Sequence, residues 1–222
     1  MQFLYDKRAG ENGIEIKDDS YRYLFRIKRY KKGEKIALRN LEDEYIYFYK
    51  IEDVNKKSAY ILLLEKERKI VKPKKEFHLV WCVVDPKVVE KTIPFLNEIG
   101  VKKITFVYCD RSQKSFKLKY DKLRKIAINS SQQCGRSTIV QMEFIDTLSE
   151  LFEKYNDIVI VDFDGKKKTN FSDLRRVMVG CEGGFSENER EFFKDKDIIG
   201  FDSDMILKSE TAIIGISAKV LL

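Results

Sequence analysis

From residue 77 onward short apolar runs alternate with amphipathic stretches, and this alternation restricts the fold more than any other feature. The run Phe77-His-Leu-Val-Trp-Cys-Val-Val84 is almost wholly apolar, as a parallel strand covered on both faces must be. Asp85-Pro86 supplies an N-cap and a first-turn proline. The helix that follows ends at Gly100, the residue type favoured in the left-handed position after a helix. Pro94 inside it predicts a kink or an irregular turn. Further strands are expected at 103–108, 157–163, 177–180 and 198–201. Helices are expected at 118–131, after the Thr147/Glu150 capping box as far as 155, at 187–194 and at 211–222. Repeated strand-then-helix order predicts a parallel α/β sheet with helices on both faces. Ligands in such sheets bind beyond the carboxyl ends of the strands. The loops at 109–112, 163–168, 180–186 and 201–211 are therefore expected to share one rim.

The pattern upstream is different. Lys72-Pro73-Lys-Lys75 reads as a linker, which places a first domain at 1–70 and a second at 71–222. Short runs at 2–5, 35–39, 44–51 and 58–65 read as strands, and 21–30 as a short helix with Leu24, Ile27 and Tyr23 inward. Strands at this spacing predict a small β-barrel, an architecture that holds RNA through exposed aromatic and basic side chains. Tyr45, Tyr47 and Tyr49 equally describe one face of a half-buried strand. The formal charge of +7 favours a polyanionic partner, nucleic acid before membrane. The competing reading is a solvated lysine-rich surface, since 36 acidic residues are interspersed among 43 basic ones.

No apolar run is long enough to span a bilayer, and the first residues lack the basic-then-apolar layout of a signal peptide. Cys82, Cys109, Cys134 and Cys181 show no paired spacing, and His78 is the only histidine. A metal site is not expected; the cysteines are expected as reduced, mostly buried thiols of a cytoplasmic protein. The missing histidines also exclude nucleophilic triads, and His78 is expected as a strand-edge residue. Neither GxxxxGK[ST] nor GxGxxG is present. Asp162/Asp164 and Asp202/Asp204 are expected as turn formers rather than metal ligands.

Two late segments remain. Val177-Met-Val-Gly180 stops at a glycine, turns through Gly183 and Gly184, and enters a helix at Ser186 with Glu189 completing a capping box. Ile206-Leu-Lys-Ser-Glu-Thr-Ala212 then precedes the last helix. Gly180-Cys-Glu-Gly-Gly-Phe-Ser-Glu-Asn-Glu189 together with this second segment resembles the RsmE family, the 16S rRNA uridine-N3 methyltransferases of the SPOUT superfamily. The family signatures read approximately GPEGGFSxxE and LGxRILRTETA. Upstream, Cys109-Asp-Arg-Ser112 is similar to the family's S-E-R-S, Ser131-Gln-Gln-Cys-Gly-Arg136 to its E-Q-S-x-R, and Leu96-Asn-Glu-Ile-Gly-Val101 to its T-E-L-G-V. The chain departs from the pattern at Cys181 (proline in the family), Lys208 (arginine), and Ser203 and Met205 (glycine and arginine).

The resemblance implies a trefoil-knotted α/β methyltransferase domain behind a PUA-like or OB-like barrel, acting as a homodimer on 16S rRNA of the small ribosomal subunit, without a membrane. It implies S-adenosylmethionine as cofactor, bound mainly by backbone. The expected cofactor residues are Asp162 and Phe163, then Gly180, Cys181, Glu182, Gly183 and Gly184, then Phe201, Ser203, Ile206, Leu207 and Thr211. Arg111, Arg136 and Lys208 are the candidates for orienting uracil and stabilising its anion. Glu182 is either a base or a shaper of its own loop. Arg8, Arg22, Arg26 and Arg29 are expected on the RNA backbone. Three alternatives stay open: another RNA base or ribose as target, a non-catalytic rRNA-binding assembly factor, and a nucleotide-binding α/β protein.

Overall fold

The computed structural model describes residues 2–222. The chain forms two compact units, Met1–Lys72 with Ser131–Thr138, and Pro73–Ser130 with Ile139–Leu222.

The first unit is a five-stranded sheet built from β1 (Leu4–Tyr5), β2 (Gly13–Ile16), β3 (Lys35–Arg39), β4 (Tyr45–Val54) and β5 (Ala59–Arg68). The spatial order is β1-β3-β4-β5-β2; pairing is antiparallel except between β1 and β3. Its core holds Ile14, Ile16, Leu24, Leu38, Tyr49, Ile51 and Ile61. Tyr47 and Tyr49 are buried, and their hydroxyls donate to Asp43 Oδ2 and to the Glu11 carbonyl. These two rings therefore pack the core rather than stand free for bases. Strand β2 was not expected from the sequence. The segment 131–138 completes this unit: Gln2 N donates to the Gln132 carbonyl at 2.8 Å, Tyr5 N to Gln132 Oε1 at 2.7 Å, and Val71 N to Ser137 Oγ at 2.7 Å.

The helix expected at 21–30 starts earlier, as α1 (Asp18–Tyr21), and continues as a π-helical turn over Arg22–Ile27. Lys28 N reaches back five residues, to the Tyr23 carbonyl, at 2.9 Å. The wider turn advances the phase of the side chains. Phe25 is carried inward with Leu24, and Ile27, expected inward, is 61% exposed.

The second unit carries a six-stranded, all-parallel sheet in the order β11-β9-β10-β6-β7-β8. The strands are β6 (His78–Cys82), β7 (Lys103–Val107), β8 (Gln141–Ile145), β9 (Val159–Lys168), β10 (Arg176–Val179) and β11 (Ile198–Phe201). The helices are α2 (Pro86–Ile99), α3 (Tyr120–Cys134), α4 (Leu148–Lys154), α5 (Glu187–Arg190), which runs on into a 3₁₀ turn at Glu191–Phe193, and α6 (Ser209–Leu221). The caps are as the sequence indicates: Asp85 Oδ1 accepts from Lys87 N at 2.7 Å, and Gly100 takes φ +108°. Pro94 sits inside a continuous α2. Trp81, Phe106, Met178, Ile213 and Ile216 lie at the centre of the core, and α6 packs on α2 and against β6 and β10.

Two expectations are corrected here. Strand β9 runs on to Lys168, so 163–168 is not a free loop: the lysines of Lys166–Lys168 pair with β11. The crossing is close because both strands place glycine there. A Cβ on Gly165 would stand 2.3 Å from the Ile199 carbonyl carbon. His78 opens β6, as expected of a residue at the end of a strand; the strand is an inner one and the side chain is buried. The cysteines are not all reduced: Cys82 and Cys109 form a disulfide, with Cα atoms 5.8 Å apart. The parallel register pairs Cys82 with Val107, which brings the start of the next loop, Cys109, within reach. Cys134 is exposed and Cys181 buried, both as free thiols.

Candidate active site

Beyond the carboxyl end of β10, and alongside the first half of β9, lies an open cleft of about 630 Å³. Three segments line it. Strand β9 gives Val161, Asp162 and Phe163; the turn after β10 gives Gly180, Cys181, Glu182, Gly184 and Phe185; the segment from β11 into α6 gives Phe201, Ser203, Met205, Leu207, Ser209 and Ala212. Gly183, Ile206 and Thr211 belong to the same segments without lining the cleft, and Ile206 is 82% exposed.

The glycine turn is shaped by its sequence. Gly184 adopts φ +68°, a conformation that L side chains rarely take. Gly180 is buried, and a Cβ there would press on the Phe185 ring at 3.3 Å. Gly184 N donates to the Cys181 carbonyl at 2.9 Å, closing the turn. The helix that follows carries the full capping box. Ser186 N donates to Glu189 Oε2 at 2.8 Å, and Glu189 N to Ser186 Oγ at 3.2 Å.

The loop after β7 docks onto this turn. Asp110 N donates to Glu189 Oε1 at 2.8 Å, and Ser186 Oγ to Asp110 Oδ2 at 2.5 Å. Arg111 Nη1 donates to the Gly183 carbonyl. Glu189, 3% exposed, thus serves two backbone N–H groups from two loops with its two oxygens. Ser112 Oγ donates to the Val83 carbonyl at 2.8 Å and accepts from Cys109 N at 3.2 Å, which ties the loop back to β6.

Asp162 is 7% exposed. Its Oδ1 accepts from Phe163 N at 2.8 Å, and its Oδ2 stands 2.5 Å from Arg190 Nη1, though not aligned with it as a hydrogen bond. Burial pushes the Cys181 thiol above its ordinary value.

The structure brings Arg111 to the glycine turn and puts Lys208 at the N-cap of α6, with its side chain exposed. Arg136 lies in the first unit, buried, with Nε donating to Thr138 Oγ1 at 3.3 Å; burial draws its guanidinium down to about 10. Of the arginines expected on RNA, Arg22, Arg26 and Arg29 are exposed, whereas Arg8 is held by Asp6 at 2.7 Å. Val161, Val179, Phe185, Met205, Ser209 and Ala212 line the cleft without having been among the expected cofactor residues. Phe185, Ser209 and Ala212 lay inside the two motifs and were legible there.

Among the described residues no group of three or more His, Cys, Asp or Glu is arranged to hold a metal ion. Among the same residues no helix is long and apolar enough to cross a membrane.

A family model described as an RNA methyltransferase domain matches residues 71–221, and one described as an RNA methyltransferase PUA domain matches residues 16–64. The chain is 36% identical to the ribosomal RNA small subunit methyltransferase E of Helicobacter pylori, over 98% of both chains. It is 25% identical to the protein of the same name from Aquifex aeolicus, over 97% of both. The fold matches a ribosomal RNA small subunit methyltransferase E from Neisseria gonorrhoeae bound to S-adenosyl methionine, with TM-score 0.81 and 20% identity, covering 98% of this chain and 95% of that one. Matched from end to end by these relatives and carrying both family domains, the chain belongs to the ribosomal RNA small subunit methyltransferase E family of RNA methyltransferases.

Proposed function

We propose that this chain transfers the methyl group of S-adenosylmethionine to N3 of a uridine in 16S rRNA of the small ribosomal subunit. The observation that carries this reading is the meeting of the two sequence motifs, 180–189 and 206–212, at one cleft beyond the end of β10. The residues there suit the cofactor. Val161, Val179, Leu207 and Ala212 offer an apolar wall for an adenine ring, and the turn from Gly180 to Gly184 offers backbone donors and acceptors at close approach. When bound, S-adenosylmethionine supplies an electrophilic methyl group.

The chain's own residues have two tasks. One is to hold N3 in line with that methyl, which removes much of the entropic barrier. The other is to favour loss of the N3 proton, because cationic side chains beside a developing anion lower its pKa. Arg111 and Lys208 are assigned to this second task; Arg136, expected to share it, is buried within the first unit and is not assigned to it. Glu182 shapes the glycine turn. Since N3 is hidden in a base pair, the target base is taken out of its helix before reaction. The first unit holds the RNA backbone, with the exposed Arg22, Arg26 and Arg29 on phosphates. The same reading gives domains at 1–70 and 71–222, a trefoil knot in the second, a homodimer as the working form, and the cytoplasm as its place. The match to the RNA methyltransferase PUA and RNA methyltransferase domain models supports assigning RNA binding and chemistry to separate parts of the chain.

The test is incubation of the purified protein with small subunits from a strain lacking it, with labelled S-adenosylmethionine, followed by nucleoside mass spectrometry. 3-Methyluridine is the expected product. Label on another atom, or none with saturating cofactor, would overturn the assignment.

A further inference from the structure

Two cleft-lining segments far apart in sequence are joined by one buried side chain. Ser209 Oγ donates to the Gly180 carbonyl at 2.6 Å and accepts from Trp81 Nε1 at 2.9 Å. All three residues are buried: Trp81 is wholly inaccessible and Ser209 is 4% exposed. The direction of the chain of bonds is fixed by chemistry. An indole N–H only donates, so the serine oxygen must accept from it, and the single serine proton is left for Gly180. Trp81 in turn cannot move: it lies in β6 opposite Val179, and its ring packs at 5.9 Å from that of Phe106.

We propose that Ser209 is a positioning residue for the cofactor cleft, one that sets the distance between the glycine turn and the start of α6 through a relay anchored on Trp81. Gly180 and Ser209 both line the cleft, so the bond between them spans its inner end. A peptide unit is planar and its C=O and following N–H point opposite ways. Fixing the Gly180 carbonyl therefore also fixes the Cys181 N–H, the first backbone donor of the turn. The remainder of α6 is held independently by Ala212, Ile213, Ile216 and Val220, all buried. Loss of the hydroxyl should leave the helix in place and release the turn. The inference rests on S-adenosylmethionine being the ligand of this cleft.

The test is calorimetric titration of the full chain with S-adenosylmethionine, together with emission from Trp81, the chain's single tryptophan. Ser209→Ala is expected to raise Kd about tenfold, the usual worth of one buried hydrogen bond, and to shift the Trp81 emission of the ligand-free protein. Ser209→Thr keeps the hydroxyl and is expected to restore both, with Kd within about threefold of the parent. Unchanged affinity in Ser209→Ala, or equal weakening in Ser209→Thr, overturns the relay. If Ser209→Ala does not fold, Trp81→Phe carries the test: a several-fold rise in Kd supports the relay and an unchanged Kd overturns it. Failure of the parent protein itself to bind would instead remove the proposed function, and this inference with it.

Discussion

Nε of Arg176 donates a 2.8 Å hydrogen bond to Nδ1 of His78. A guanidinium has no acceptor, so Nδ1 must accept and the neutral ring carries its proton on Nε2. From there it donates to Thr105 Oγ1 at 2.8 Å, and Thr105 donates to Glu143 Oε2 at 2.8 Å. Burial, with Arg176 and Lys103 adding their charge, draws His78 down to about 3. Glu143 is pushed up by burial but held at about 2 by bonds from Lys154, Thr105, Lys103 and Tyr155.

The consequence for pH is specific. Unfolded histidine takes up a proton near 6.5, and folded His78 refuses it until about 3. Stability is therefore complete above pH 6.5 and falls as pH drops, by about 1.4 kcal/mol per pH unit. Glu143 adds its own loss only below its usual 4.5. Urea unfolding at pH 7.5 and 5.5 isolates the histidine: the parent should lose about 1.4 kcal/mol between them, and His78→Gln much less. Equal slopes would count against the buried neutral ring.

Glu189→Ala should cost about 2–4 kcal/mol, since it strips the partner from two backbone N–H groups, Ser186 N and Asp110 N. Asp110 and Ser186 belong to the two docked loops, so cofactor affinity should fall as well. Denaturant midpoints and calorimetry on one preparation read both effects.

Gly165→Ala puts a methyl 2.3 Å from the Ile199 carbonyl carbon, which is backbone and cannot step aside. A loss of about 3 kcal/mol or more is expected. Gly33→Ala makes a useful control: it has a positive φ of +90° and open space around it, and should cost only about 1 kcal/mol.

Lys208→Ala should slow single-turnover methyl transfer on subunits by about 100–1,000-fold, the usual scale for a lost donor to a developing anion. Cofactor Kd should stay unchanged, because the exposed Lys208 side chain does not line the cleft. An unaltered rate would end its catalytic assignment.

Alkylation of the denatured, unreduced chain should label two thiols, Cys134 and Cys181, and four after reduction. Reduction should also lower unfolding free energy by about 3.5 kcal/mol, the chain-entropy value for a link that spans 27 residues.

Much of this architecture is legible in the sequence. Asp85, Gly100, Ser186 and Glu189 mark helix ends by local chemistry, and each sits where that chemistry places it. The glycine turn and its partner segment were legible for the same reason. What escaped depends on pairing across the sheet. Lys166–Lys168 read as a polar loop because only β11 gives them a ladder to join. Strand β8 escaped because Gln141–Ile145 lacks a fully buried face. Cys82 and Cys109 meet only through the β6–β7 register, and Ser209 gains its partners from Trp81 and Gly180, both distant in sequence. The π-helical turn shifted Ile27 outward with no glycine or proline to announce it.

The segment 131–138 bears on how the molecule is born. The backbone N–H groups of Gln2 and Tyr5 find their acceptors on Gln132, and those of Val71 and Ser137 pair with one another's residue. A nascent chain that has emerged only as far as residue 72 has none of these partners. The amino-terminal sheet must wait, its opening strand unsealed, until well over half of the polypeptide has left the ribosome. A gene fragment ending at the linker should yield a sheet with frayed edges. A permuted gene that begins at residue 131 and carries 2–72 directly after 138 should deliver the same unit as a single uninterrupted translation product.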